Sequence, residues 1–176
     1  FAEIVNTAID EGIDLVVAGA GFSRDIFGLG KESGTPVVPI VSSVKLAKIS
    51  QRLGAAAIIV EGKEAGGHLG TDQSIKDIIP DIVAAVDIPV IAAGGVLHGQ
   101  DIADLINKGV CGVQMGSRFA ASAEANSAPA LKNFYLKAKL DDVVVIHSPV
   151  GLPGRAVRNP WAERIMEGKV PPTRCD

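Results

Sequence analysis

The sequence has few cysteines, no block of basic residues and no long apolar run. Its two cysteines, Cys111 and Cys175, lack the spacing of a metal site. We therefore expect a reduced, cytoplasmic protein, and no signal-peptide pattern opens the chain. The net charge is −3, so nothing indicates binding to nucleic acid or to an anionic membrane. No apolar stretch approaches the roughly 20 residues of a membrane-spanning helix.

What the sequence does have is enough apolar residues for a folded core. Hydrophobic residues make up 47% of the 176 positions and charged residues 21%. This composition is typical of a globular protein and excludes a disordered chain. The length suits one domain, which we place over residues 1–176.

Apolar runs rich in β-branched residues recur along the first two thirds of the chain. They cover residues 14–20, 36–41, 55–60, 89–95 and 112–117. Their apolar residues are nearly continuous and do not alternate with polar ones. This pattern predicts strands that are buried on both faces of a parallel sheet.

Segments with helical spacing separate these runs. They cover residues 1–12, 42–54, 72–86 and 99–109, and we expect Pro80 to kink or interrupt the third of them. Strands and helices thus alternate regularly, which predicts a parallel α/β protein.

The regular alternation of predicted strands and helices ends after residue 118. Residues 120–140 have the composition of a helix, and residues 141–149 predict one further extended segment. Residues 150–176 are rich in glycine, proline and charge, so we expect a loop with at most one short helix there.

Two architectures fit this order of elements. One is an open, doubly wound sheet, and the other is part of a (β/α)₈ barrel, which typically takes about 250 residues. The periodicity does not decide between them. In both, ligands bind beyond the carboxyl ends of the parallel strands.

Two successive predicted strands end in glycine-containing motifs. The first motif, AAGGV, includes Gly94 and Gly95, and the second, QMGSRF, includes Gly116 and Ser117. Backbone N–H groups at such strand ends can bind an anion, and many barrels hold a phosphate at two neighbouring strand ends. We therefore expect a phosphate near both motifs. The alternative is that each motif is only a tight turn.

A third motif, EGKEAGGHLG, follows the run at 55–60. Its glycines, Gly66 and Gly67, leave room for a ligand beside His68, whose imidazole suits a general base. Glu61 could accept hydrogen bonds from a ligand, and Glu64 could orient the loop. The other two histidines have no useful spacing to His68 and no cysteine lies near it, so we expect no metal.

The three motifs together resemble the nitronate monooxygenases, formerly called 2-nitropropane dioxygenases, and the related flavin-dependent enoyl-ACP reductases. The resemblance covers roughly residues 14–160 and is specific, because the EAGGH loop is distinctive. It implies a (β/α)₈ TIM barrel with non-covalently bound FMN, and an oxidoreductase acting on a small molecule.

The resemblance also implies roles for particular residues. His68 is expected to be the catalytic residue, acting as a base in the monooxygenases. The expected FMN contacts are Glu61 and Gly66, with Gly94, Gly95, Gln114, Met115, Gly116 and Ser117 on the phosphate side.

Several activities stay open. The first is oxidation of alkyl nitronates with O₂, and the second is reduction of an enoyl-ACP thioester with NAD(P)H as electron donor. Many monooxygenases carry Gln where this chain has Glu61, whereas the reductases commonly carry Glu, and RAVRN at 155–159 also resembles the reductases. SPVGLPGR at 148–155 resembles a broader subgroup of the family. A non-redox phosphate-binding barrel enzyme and an inactive piece that needs a partner chain are further alternatives.

The family opens with a strand and a glycine-rich loop that have no counterpart before Phe1. We therefore expect a C-terminal partial barrel of about five or six parallel strands, without the N-terminal β–α units. Its open edges would stay exposed, or a second copy would cover them in a homodimer. We expect these 176 residues alone not to fold stably or to bind FMN tightly. The residues expected on the inner face are Val16, Val38, Ile58, Ile91 and Val113.

Overall fold

The computed structural model describes residues 2–19 and 24–171. Three features predicted from the sequence lie partly outside these ranges: the start of the first helix at Phe1, the end of the first strand at Ala20, and Cys175.

The described chain contains eight strands and eight α-helices. The strands are β1 Val16–Ala18, β2 Val37–Val41, β3 Ile58–Glu61, β4 Gly67–His68, β5 Val90–Ala93, β6 Gly112–Gln114, β7 Val143–His147 and β8 Pro153–Val157. The helices are α1 Ala2–Asp10, α2 Asp25–Ser33, α3 Val44–Leu53, α4 Ile75–Val83, α5 Gly99–Asn107, α6 Ser117–Ala120, α7 Pro129–Lys137 and α8 Pro160–Met166.

Five of the strands form a parallel sheet whose spatial order follows the chain: β1, β2, β3, β5, β6. A doubly wound sheet would reverse its strand order at a switch point. Here α1 to α5 all contribute buried residues to one core cluster, together with one face of the sheet. Helices on a single face and strands in chain order are the arrangement of a (β/α)₈ barrel wall. The structure therefore decides between the two architectures in favour of the barrel.

The other face of the sheet carries only strand residues and their immediate neighbours. Its hydrophobic cluster contains Val38, Ile40, Ala57, Ile59, Ile91 and Ala93, and this face corresponds to the inside of the barrel. The prediction for this face was wrong for three residues, because Val16, Ile58 and Val113 pack against the helices instead. A continuous apolar run shows that both faces are buried but does not show which residue faces which side.

The sheet is open at both sides within the described residues, where β1 and β6 each pair with one strand only. The three central strands are almost wholly buried, whereas Val17 on β1 is 49% exposed. The prediction of a partial barrel with about five parallel strands is confirmed.

The predicted helices between the strands all form. Ser43 caps α3 by accepting a hydrogen bond from the Leu46 N–H at 3.3 Å, and Gly54 ends the helix with φ +92°. Helix α4 runs through Pro80 without interruption. Helix α2 was not predicted, and only Pro129–Lys137 of the predicted helix over 120–140 forms as a long helix. None of the helices in the described ranges has the length and apolar content that crossing a membrane requires.

A second sheet was not predicted. Strand β7 confirms the extended segment over 141–149, but β8 lies in the region predicted to be a loop. The two strands form a hairpin, and β4 pairs with the far side of β8, so the antiparallel order is β4, β8, β7. The small sheet thereby reaches the segment that contains His68.

Substitutions at two glycines of α2 can test how tightly this helix packs on the sheet. A Cβ on Gly30 would overlap Val37 Cγ2 and would stand 2.7 Å from the Thr35 carbonyl oxygen, whereas one on Gly28 would meet nothing within 4 Å. We expect Gly30→Ala to lower the free energy of unfolding by about 1–3 kcal/mol through overpacking. Gly28→Ala should raise it by about 0.5–1 kcal/mol through helix propensity. Urea denaturation of both variants checks this, and equal effects would contradict the packing described for α2.

Candidate functional site

A row of polar and small side chains crosses the sheet where the strands end. Ala93 on β5 is in register with Glu61 on β3 and with Gln114 on β6. These three side chains share the inner face of the sheet, since paired residues of neighbouring strands point to the same side. The row in register two residues earlier is Ile59, Ile91 and Gly112. The inner face thus changes from apolar to polar at its carboxyl edge, where the small, buried Ala93 lies between the two polar side chains.

Glu61 is the titratable member of this row. It is partly buried at the end of β3, and this burial raises the pKa of its carboxyl above the usual value.

The loop after β3 packs directly on the end of β5. An ideal Cβ on Gly94 would stand 2.7 Å from the backbone nitrogen of Ala65, and one on Gly95 would stand 3.0 Å from Glu64 Cβ. Both glycines also have positive φ, +96° and +70°. Glycine is therefore required at 94 and 95 by the chain itself. The backbone of Ala65 occupies the space where a side chain at position 94 would lie.

At two other glycines of the predicted site, neither the backbone conformation nor close packing requires glycine. Neither Gly66 nor Gly116 has positive φ, and a Cβ on either would meet nothing within 4 Å among the described residues. Both are exposed. These are the positions where the absence of a side chain leaves open space at the carboxyl edge of the sheet.

Glu64 fixes the same loop through its carboxylate. Its Oε2 accepts a hydrogen bond from the Ile75 N–H at 3.0 Å, at the first residue of α4. Burial alone would raise the pKa of this carboxyl, but the Ile75 N–H, the Ser74 hydroxyl and nearby Lys63 hold it below the usual value. The prediction that Glu64 orients the loop agrees with these contacts.

His68 lies on β4, where the hairpin holds the loop from its other side. His68 pairs with Gly154 of β8, and the Leu69 N–H donates to the Pro153 carbonyl oxygen at 2.8 Å. A Cβ on Gly154 would stand 3.1 Å from the Gly67 carbonyl oxygen, so glycine at 154 permits this close approach. The imidazole itself is exposed, and it is therefore accessible to a ligand at the mouth of the barrel.

Ser148 contacts the imidazole directly. Its Oγ lies 3.1 Å from His68 Nε2, within hydrogen-bond distance. Ser148 could not be identified from the sequence as a partner of His68, because the two positions are 80 residues apart. The one signal was the SPVGLPGR segment, whose glycines and prolines suggested a loop.

The small sheet separates His68 from a cleft behind it. Side chains alternate along strands, so His68, Gly154 and Ile146 share one face, and Val145 and Arg155 share the other. The second face borders an open cleft of about 590 Å³ lined by Lys63, Glu64, Leu69, Gly70, Thr71, Asp72, Val145, Pro153 and Arg155. Arg155 also donates a hydrogen bond from Nη1 to the Glu64 carbonyl oxygen. Apart from Glu64, the predicted site residues, all in the described part of the chain, do not line this cleft.

The remaining predicted residues follow β6. Since β5 and β6 are parallel neighbours, the segments after Ala93 and Gln114 leave the sheet at the same edge. Gly116 and Ser117 are exposed there, whereas the Met115 side chain packs against the helix-side core. Met115 can therefore offer only its backbone to a ligand on the inner side. The phosphate near Gly94, Gly95, Gly116 and Ser117 stays a prediction.

The donor set of this edge fits FMN better than a metal. Polar side chains separated by small residues, exposed glycines and an exposed imidazole suit a planar molecule with a phosphate. Within residues 2–19 and 24–171, no group of three or more His, Cys, Asp or Glu residues is arranged to hold a metal ion.

Known sequences similar to this chain carry related names. The profile of the nitronate monooxygenase family matches residues 1–175. A probable nitronate monooxygenase of Staphylococcus aureus (strain MSSA476) is 34% identical, with 85% of this chain and 45% of the relative covered. A Mycobacterium tuberculosis (strain ATCC 25618 / H37Rv) protein is 35% identical, with 93% and 47% covered. It is named (3aS,4S,5R,7aS)-5-hydroxy-7a-methyl-1-oxo-octahydro-1H-indene-4-carboxyl-CoA dehydrogenase.

Solved structures give the same result. FabK from Thermotoga maritima superposes with a TM-score of 0.90 at 39% identity, over 96% of this chain and 54% of that one. The nitroalkane oxidase of Streptomyces ansochromogenes superposes with a TM-score of 0.79 at 25% identity, over 95% and 51%. The chain thus spans about half the length of the relatives it matches. The family profile, the sequence relatives and the barrel wall agree, and the chain belongs to the nitronate monooxygenase family of oxidoreductases.

Proposed function

We propose that this chain forms the catalytic edge of an FMN-dependent oxidoreductase that oxidises alkyl nitronates with O₂. The observation that carries the proposal is the placement of His68. Its imidazole is exposed at the carboxyl edge of the parallel sheet, on a loop that packs on β5 and pairs with β8. Functional groups of barrel enzymes lie at this edge.

FMN and the residues at the carboxyl edge of the sheet have separate roles. FMN, when bound, supplies the redox chemistry, and the chain's own groups bind, orient and move a proton. When the substrate binds as the neutral nitroalkane, His68 accepts the proton from the carbon beside the nitro group, and the electron pair of the broken C–H bond stays on the substrate, which becomes the nitronate. A nitronate that binds as such carries no proton to remove there and does not need this step. Glu61 and Gln114 would hold the flavin from either side of Ala93, with Gly66 and Gly116 leaving room for it.

The second candidate is the reduction of an enoyl-ACP or similar thioester with NAD(P)H. It is favoured by Glu61, because the reductases of the family commonly carry Glu at this position. It is also supported by the higher identity to FabK (39%) than to the nitroalkane oxidase (25%), and by the relative named as a carboxyl-CoA dehydrogenase.

The two candidates differ in what reduces the flavin. For the first, an alkyl nitronate should bleach the visible absorbance of the bound flavin in the absence of oxygen, and NADPH should leave it unchanged. Fast bleaching by NADPH and none by the nitronate would replace the first candidate by the second. If a protein that contains the complete barrel shows no flavin absorbance after purification and takes up no added FMN, both candidates are rejected.

The role of His68 predicts the effect of its removal. We expect His68→Ala to lower kcat for a neutral nitroalkane by about 10²–10⁴-fold while FMN stays bound, because a general base typically contributes that much. Oxidation of the preformed nitronate, which carries no proton to remove at that carbon, should be much less affected. His147→Ala is the matched control, since strand alternation places this exposed histidine on the opposite face of the small sheet. Steady-state kinetics and flavin content measure both effects. Loss of flavin and fold in His68→Ala would instead make the histidine structural.

The raised pKa of Glu61 leads to a prediction of how FMN affinity depends on pH. Its pKa is raised by burial, so the fold itself loses stability as pH rises above the usual carboxyl range through the raised pKa. If ionised Glu61 accepts hydrogen bonds from the flavin, FMN affinity should rise through the same window. In Glu61→Gln this part of the pH dependence should vanish, while that of the FMN phosphate remains. FMN titrations of both proteins at several pH values measure the difference, and identical pH profiles would contradict a contact with ionised Glu61.

A further inference from the structure

We propose that Ser148 is a positioning residue for His68, which fixes the tautomer of the imidazole and leaves Nδ1 free to accept the substrate proton. The proposal rests on the proposed role of His68 as the base. It concerns a residue of the β7–β8 hairpin, an element outside the strand ends of the parallel sheet.

The hydrogen bond between the two side chains has a rigid backbone on both sides. His68 is held by its pairing with Gly154, and the next residue donates to Pro153 at 2.8 Å. Strand alternation directs the imidazole to the same face as Ile146. Ser148, two residues beyond Ile146, lies on that side, and its Oγ is 3.1 Å from Nε2.

Ser148 itself is held in the turn of the hairpin. Its N–H donates to the Leu152 carbonyl oxygen at 2.9 Å, and its carbonyl oxygen accepts from the Gly151 N–H at 2.8 Å. Gly151 has φ +87°, which closes this turn. Pro149 follows directly and restricts Ser148 to an extended backbone. The hydroxyl is therefore presented to His68 from a fixed position, and both backbone bonds are independent of its side chain.

The tautomer of the His68 imidazole follows from its proposed role as a general base. A neutral imidazole carries one N–H and one free lone pair. If the hydroxyl donated to Nε2, the proton of the ring would be on Nδ1 and no lone pair would remain for the substrate. If Nε2–H donates to Ser148 Oγ, the Nδ1 lone pair is free. When Nδ1 takes the proton from the substrate carbon, the Nε2–H bond to Ser148 is kept and stabilises the charged ring.

The test measures the tautomer and the rate separately in the flavin-loaded protein. Histidine labelled with ¹⁵N gives distinct shifts for protonated and unprotonated ring nitrogens, and His68→Ala assigns the His68 signals. We expect the Nε2–H form in the native protein and a mixture of tautomers in Ser148→Ala. With a neutral nitroalkane as substrate, that variant should also lose about tenfold in kcat, which corresponds to the free energy of one hydrogen bond, and it should retain its flavin.

Two further variants make the result specific. Ser148→Thr keeps the hydroxyl and suits the extended backbone before a proline, so it should restore both tautomer and rate. Val150→Ala changes an exposed side chain of the same turn and should behave like the native protein. Native kcat or a native tautomer pattern in Ser148→Ala, no rescue by threonine, or an equal loss in Val150→Ala would each overturn the proposal. Full activity of His68→Ala would reject the proposed function instead, and the tautomer signals would still show whether Ser148 holds the ring.

Discussion

The close contact between Ala65 and Gly94 is the constraint on which the candidate site depends. The backbone of the β3–α4 loop approaches the end of β5 so closely that no side chain fits at Gly94. Ordering a loop residue costs about 1–2 kcal/mol in backbone entropy, and His68 lies only three residues beyond this contact. The loop is also tied to α4 by the Glu64 carboxylate and to the hairpin by Arg155 and the β4–β8 pairing. These attachments hold an exposed histidine in a defined place.

The parallel sheet supplies the surface below this histidine. Its inner face is aliphatic at the level of Ile59 and Ile91 and becomes polar at Glu61 and Gln114. This change places hydrogen-bonding groups only at the carboxyl edge, where the barrel opens. The raised pKa of Glu61 is the electrostatic consequence of a carboxylate that stands partly inside the apolar wall. The hairpin then closes the site on one side and separates it from the cleft beside Arg155.

The sequence predicted the repeating part of this fold well and its irregular part poorly. Continuous apolar runs and helix caps such as Ser43 and Gly54 are local signals, and the elements they mark form where expected. The choice between barrel and open sheet depends on strand order, which no local pattern contains. The side of the sheet for Val16, Ile58 and Val113 was predicted wrongly, because their runs do not alternate.

The same distinction applies to the site: local motifs could be found from the sequence, and contacts between distant segments could not. The motif with His68 could be found from its glycines and from its resemblance to a family. The glycines at 94 and 95 could not be interpreted from sequence, since a ligand and a packed loop demand the same residue. Ser148 was missed because its contact with His68 joins a loop and a hairpin that are distant in the chain. Glycine- and proline-rich strands such as β8 carry weak local signals.

A crystal structure of the purified protein with FMN bound measures the position of the flavin directly. We expect the ring to lie near Ala93, between Glu61 and Gln114, on the side of the small sheet that carries His68. The phosphate should lie near the backbone of Gly95 and Gly116. A flavin bound in the cleft between Lys63 and Arg155, on the opposite face of the small sheet, would contradict a flavin site beside His68.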